Sequence, residues 1–158
     1  MTAHPHNAHH GGHYARFALM LALSFIAMYV FMYAMVNELP NALPNLNTAY
    51  MAGLMTAPML VLELALMGSM YPSKRANAAL MAIGVLAAIA LWSATRTHAA
   101  VGDKQFVRSM IPHHAGAILM CREASISDAE VRKLCGEIVE GQQREIEQMK
   151  RILARLSG

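Results

Sequence analysis

Phe17-Ala-Leu-Met-Leu-Ala-Leu-Ser-Phe-Ile-Ala-Met-Tyr-Val-Phe-Met-Tyr-Ala-Met-Val-Asn37 runs for 21 residues without a charge. At about 1.5 Å of rise per residue, a helix of that length crosses a hydrocarbon core of about 30 Å. Thr48 to Tyr71 repeats the pattern, interrupted only by Glu63, and Ala76 to Thr95 forms a third such run. Each is too long for a buried helix of a 17.3 kDa soluble protein. The sequence therefore predicts three transmembrane helices, over about residues 15–37, 48–71 and 76–95. The first follows His-rich sequence rather than a basic n-region and ends without a small-x-small cleavage site, so it reads as a retained span, not a signal peptide. Tyr14, Tyr29, Tyr33, Tyr50, Tyr71 and Trp92 lie mostly near span ends, as aromatic belts do.

Charge is distributed unevenly around these runs. Between Phe17 and Arg75 only Glu38, Glu63, Lys74 and Arg75 are charged, whereas Arg96 to Gly158 holds 10 of the 13 Lys/Arg and 8 of the 10 Asp/Glu. The chain thus divides into a His-rich tail (1–14), an apolar three-helix domain (15–96) and a charged module (97–158). A 56% hydrophobic content excludes the disordered and collagen-like classes. Two cysteines exclude a disulfide scaffold, and a net charge of +3 spread along the chain gives no support to nucleic-acid binding. The linker from Glu38 to Asn47 has no Lys or Arg, while Pro72-Ser-Lys74-Arg75 has two. Basic residues stay on the cytoplasmic side. The expected placement is a bacterial inner membrane, with the N-terminus cytoplasmic and the C-terminal module periplasmic. Arg96, Lys104 and Arg108 after the third span pull against that orientation.

The charged module reads as a helical hairpin. Asp103 is placed to cap a helix reaching about Ala124. Ser127 with Glu130 three residues on forms a capping box for a second helix from Asp128 to about Leu156. The apolar set Val131, Leu134, Cys135, Ile138, Ile146, Met149, Ile152, Leu153 and Leu156 makes a seam with a period of about 3.5 residues. Two helices enclose too little core by themselves, so self-association into a four-helix bundle is expected.

Within the hairpin, Met110-Ile-Pro-His113-His114-Ala-Gly-Ala-Ile-Leu-Met120-Cys121 brings imidazole, thioether and thiol groups within helical reach of one another. Those donors suit soft Cu(I), and the carboxylates that magnesium or calcium need are missing from that face. Pro112 removes a backbone bond and kinks the helix, a way to turn the imidazoles inward. Against this stands a plainer reading, with Met110 and Met120 as core fillers and a polar surface pair of histidines pointing about 100° apart. Cys121 and Cys135 flank the turn near residues 125–127, where a disulfide, a thiolate ligand and simple packing all remain open.

Phe106-x-x-x-Met110-Ile-Pro-His113-His114-x-x-Ala117-Ile118-x-Met120, followed by Ile138-Val-x-x-Gln142-x-x-Glu145-Ile146-x-x-Met149, resembles the bacterial domain-of-unknown-function family 305 over about residues 103–156. That resemblance implies a ferritin-like helical bundle, export, and an association with copper binding and resistance. Carried over, it makes Met110, His113, His114, Met120 and Met149 candidate ligands, with Cys121 as an addition of this chain and Gln142 and Glu145 in a supporting role. The chain departs from the family in having one hairpin where many members have a longer bundle.

Two further regions are metal-like. His4, His6, His9, His10 and His13 form an N-terminal tract able to chelate Cu(II), zinc or nickel with little selectivity, or simply a tail. Met51, Met55, Met59, Glu63 and Met67 follow i+4 spacing in the second span, and the first span adds Met28, Met32 and Met35. Methionine also packs well in apolar surroundings, but Glu63 at membrane depth calls for a partner. This stripe resembles eukaryotic-type copper transporters, although the third span has only Gly84-x-x-x-Ala88 and the expected topology is inverted. The expected function is therefore a membrane-anchored Cu(I)-binding protein for sequestration, delivery or resistance. Transport through the stripe is the alternative. No nucleophile triad, phosphate loop, dinucleotide fingerprint or Glu-x-x-His di-iron motif points to an enzyme.

Overall fold

Leucine, alanine and methionine dominate the apolar runs, and all three are strong helix formers. The computed structural model describes residues 10–158, and within them the elements are helices: α1 (His10–Phe31), α2 (Leu46–Met67), α3 (Lys74–Thr97), α4 (Asp103–Glu123) and α5 (Ala129–Arg155). The fold is all-α, as expected. Gly12–Met35, Leu46–Met70 and Lys74–Thr97 are each long and apolar enough to cross a membrane.

Boundaries differ in instructive ways. α1 begins at His10, so part of the expected tail is helical, and it tightens into a 3₁₀ stretch at Met32–Met35. α2 starts at Leu46 because Asn45 caps it: Asn45 Oδ1 accepts from the Thr48 N–H at 2.9 Å. Gln105 Oε1 accepts from the Leu46 N–H at 3.2 Å, satisfying another orphan donor of that helix end. α4 is preceded by Gly102 at its N-cap, and Asp103 sits in the first turn rather than capping with its side chain. α5 is capped by Asp128, not by a Ser127–Glu130 box: the Asp128 carboxylate accepts from the Val131 N–H at 2.9 Å. A carboxylate at that position also complements the positive end of the helix dipole.

The chain forms two compact units. One takes in the residues up to Tyr29 together with Tyr50–Thr97. In it α3 approaches α2 at Gly84, where a Cβ would lie 2.8 Å from Leu60 Cδ2 and 2.9 Å from Val61 Cγ2. Tyr14 donates to Asn77 Oδ1 at 2.8 Å, and Asn77 Nδ2 donates to the Gly68 carbonyl at 3.1 Å. Glu63 finds its partner in the Tyr71 hydroxyl, which donates to Oε1 at 3.2 Å. The methionine row is split: Met51, Met59 and Glu63 are half-buried, Met55 and Met67 exposed.

The other unit comprises Val30–Ala49 and His98–Gly158. Val107, Ile111, Ala115 and Ile118 of α4 meet Ile146 of α5 in its core. Ile111, Ile118 and Ile146 are fully buried, each contributing about 1.5–3 kcal/mol of apolar transfer. Met149, Ile152 and Leu153 of the expected seam pack around this cluster, joined by Val139, Val36 and Leu43. Residues 30–49 thus supply part of the cover that two helices alone lack. Val131, Leu134 and Leu156 of the seam stay exposed.

Candidate metal site

On α4, residues three, four, seven and eleven apart share a face. Ser109, Pro112, His113, Gly116, Ala117 and Met120 make one face; Val107, Ile111, His114, Ala115 and Ile118 make the opposite one and carry the core. The adjacent histidines consequently part company, as a turn of about 100° requires. α4 runs through Pro112 as one helix, and only His114 is turned inward.

His114 is buried and held at both ring nitrogens. Nδ1 lies 2.8 Å from the Met110 carbonyl and Nε2 lies 2.7 Å from Glu145 Oε2. A carbonyl oxygen only accepts, so Nδ1 donates. Nε2 then meets the carboxyl group of Glu145. Both ring nitrogens are engaged by protein partners, so the expectation that His114 is a ligand is corrected: it ties α4 to α5. The expectation for Cys121 is corrected too, because its Sγ is bonded to Cys135, with Cα atoms 5.2 Å apart. A disulfide sulfur has no thiolate to give. Met149 packs against the core cluster, which makes it a filler. Met110 contributes its carbonyl to His114, and its side chain does not border the cavity described next.

His113 and Met120 have the opposite character. The His113 ring meets that of His114 edge-on at 6.0 Å and makes no hydrogen bond with the described residues. Met120 is 61% exposed, which rules out core filling. Both border a cavity of about 440 Å³ that lies within this unit. Its other wall comes from residues 30–49: Met32, Tyr33, Met35, Asn45, Asn47 and Thr48. That wall is braced. Tyr33 donates to the Leu43 carbonyl at 3.0 Å, as does Asn45 Nδ2 at 3.0 Å, and Asn41 Nδ2 donates to Asn37 Oδ1 at 2.9 Å. The two walls come close at Gly116, where a Cβ would lie 3.5 Å from the Met35 carbonyl oxygen, an ordinary contact distance.

Among the described residues no Asp, Glu, Lys or Arg borders the cavity. Among the described residues no three His, Cys, Asp or Glu side chains gather into a cluster able to hold a metal ion. What the cavity offers is one imidazole and three thioethers, a neutral and soft donor set. Met32 and Met35 were expected along the membrane row; their place at this wall depends on the chain folding back, which no local pattern announces. Of the N-terminal tract, His13 is exposed on α1, while His4, His6, His9 and the side chain of His10 lie outside the described residues.

Apolar helices of spanning length and a hairpin with a methionine-lined cavity define an all-α protein of membrane-spanning composition. The family described as "Domain of unknown function (DUF305)" matches residues 48–153, about two thirds of the chain, and the protein belongs to that family. The match extends well beyond the hairpin motifs: it takes in α2 and α3 and leaves out α1 and the Met32–Met35 stretch. The chain is also 34% identical over 110 residues to "Uncharacterized protein L153" of Acanthamoeba polyphaga mimivirus, covering 68% of this chain and 70% of that protein. No solved structure matches.

Proposed function

We propose that this protein is a membrane-anchored binder of Cu(I), taking the ion as cargo for sequestration, delivery or resistance rather than transforming a substrate as an enzyme. The observation that carries the reading is the cavity where His113, whose ring nitrogens make no hydrogen bond among the described residues, borders the same space as Met120, with no carboxylate among the described lining residues. Soft thioethers and an imidazole suit Cu(I) and serve zinc, magnesium or calcium poorly. The three apolar helices anchor the chain in a bilayer, with the Lys74–Arg75 linker in the cytoplasm. Three crossings put the linker at residues 38–47 and the hairpin on one side, in keeping with their membership of one compact unit. The Cys121–Cys135 disulfide suits an oxidising compartment such as a bacterial periplasm. The exposed Val131 and Leu134 offer a surface for a second copy of the chain.

The test is an anaerobic Cu(I) titration of the detergent-solubilised protein against a chromophoric chelator. His113→Ala with Met120→Leu should abolish the site, whereas Met55→Leu with Met59→Leu should leave it intact, since Leu keeps volume and apolarity at a cost below about 1.5 kcal/mol. Unaltered binding after loss of His113 and Met120 would overturn the proposal. Copper flux into proteoliposomes that depends on Met55, Met59 and Glu63 would replace it with transport.

A further inference from the structure

Met32 and Met35 belong to the 3₁₀ stretch that follows α1. In a 3₁₀ helix, with three residues per turn, side chains at i and i+3 eclipse. The two thioethers therefore rise from one side of their element, and both border the cavity. On the facing wall His113 and Met120 are seven residues apart, about 20° from eclipse on an α-helix. The 3₁₀ stretch and α4 thus each bring two donors to the border of the same space. Asn47 on the same wall has its Oδ1 buried with no hydrogen-bond partner among the described residues, whereas buried acceptors are normally satisfied.

We propose that Met32, Met35, His113 and Met120 together form one Cu(I) site. The segment before the family-matched region then supplies half of its donors. This inference rests on the Cu(I)-binding reading given above and extends it from the hairpin to the end of α1. Thioether ligation is neutral, so four donors leave Cu(I) its single positive charge. No carboxylate is present to draw in Cu(II) or a hard cation. The bracing of the wall by Tyr33, Asn45 and Gln105 holds the methionines in place before the ion arrives.

The experiment uses the full chain in detergent. Cu(I) affinity is measured by chelator competition, and the scatterers around the ion are identified by X-ray absorption. The wild type should show mixed sulfur and nitrogen ligation. Met32→Leu with Met35→Leu should weaken binding by about tenfold or more, the scale on which even supporting residues of metal sites act, and should lower the sulfur count from three to one. If that double variant loses helical signal by circular dichroism, Met35→Leu alone serves, because its side chain is exposed; the sulfur count should then fall from three to two. Wild-type affinity and an unchanged sulfur count in these variants would overturn the four-donor site while leaving a hairpin site standing, provided His113→Ala still abolishes binding. Absence of Cu(I) binding by the wild type would overturn both.

Discussion

His113 and His114 show how one residue of helical rotation assigns opposite jobs. His114 faces α5 and bridges the Met110 carbonyl to Glu145; His113 borders a cavity, its ring nitrogens without a hydrogen bond among the described residues. Removing the His114 ring deletes two hydrogen bonds and leaves a void in the core. A hydrogen bond to a charged partner is worth about 1.5–3 kcal/mol, and the 56% exposure of the Glu145 side chain argues for the lower end. His114→Ala is therefore expected to cost about 2 kcal/mol, seen as a fall in Tm of roughly 4–8 °C for a chain of this size. Glu145→Gln keeps an acceptor opposite Nε2 and should cost less than about 1 kcal/mol. An unaltered Tm in His114→Ala would show that the bridge adds nothing to stability.

At the scale of elements, the α4–α5 hairpin is held by its apolar interface, by the Asp128 cap and by the Cys121–Cys135 disulfide across a separation of 14 residues. Closing a loop of that size stabilises by about 3 kcal/mol, mainly by restricting the unfolded chain. Reduction, or Cys121→Ala with Cys135→Ala, should lower stability by about 2–4 kcal/mol. Cu(I) affinity should survive, since neither sulfur borders the cavity. A loss of copper binding in a still-folded double variant would restore Cys121 as a ligand. Sequence spacing had left disulfide, ligand and packing open at these cysteines. Two positions 14 residues apart lie within disulfide reach only if the intervening turn brings their backbones together, here to a Cα separation of 5.2 Å.

For the molecule as a whole, the cover that Val36 and Leu43 give to the hairpin core has a consequence for fragments. A fragment of residues 98–158 keeps the seam and loses that cover. It should self-associate in solution, with the apolar faces around Ile146 supplying the motive. Sedimentation giving a monodisperse monomer would show that two helices suffice.

The helices themselves were legible from composition and period: three uncharged runs of spanning length and one seam with caps. Their class needed nothing beyond helix propensity and the width of a bilayer. The family motif named His113 and Met120 together with Met110, His114 and Met149, and helical period alone does not tell these five apart. Tertiary structure decided the rest. It paired Cys121 with Cys135, occupied both nitrogens of His114, packed Met149 against the hairpin core, and brought Met32 and Met35 to the wall opposite His113. Each of these depends on contacts between residues distant along the chain, which helical period does not encode. A thioether in a packed core and one bordering a cavity read alike in sequence, and only the neighbours that folding supplies tell them apart.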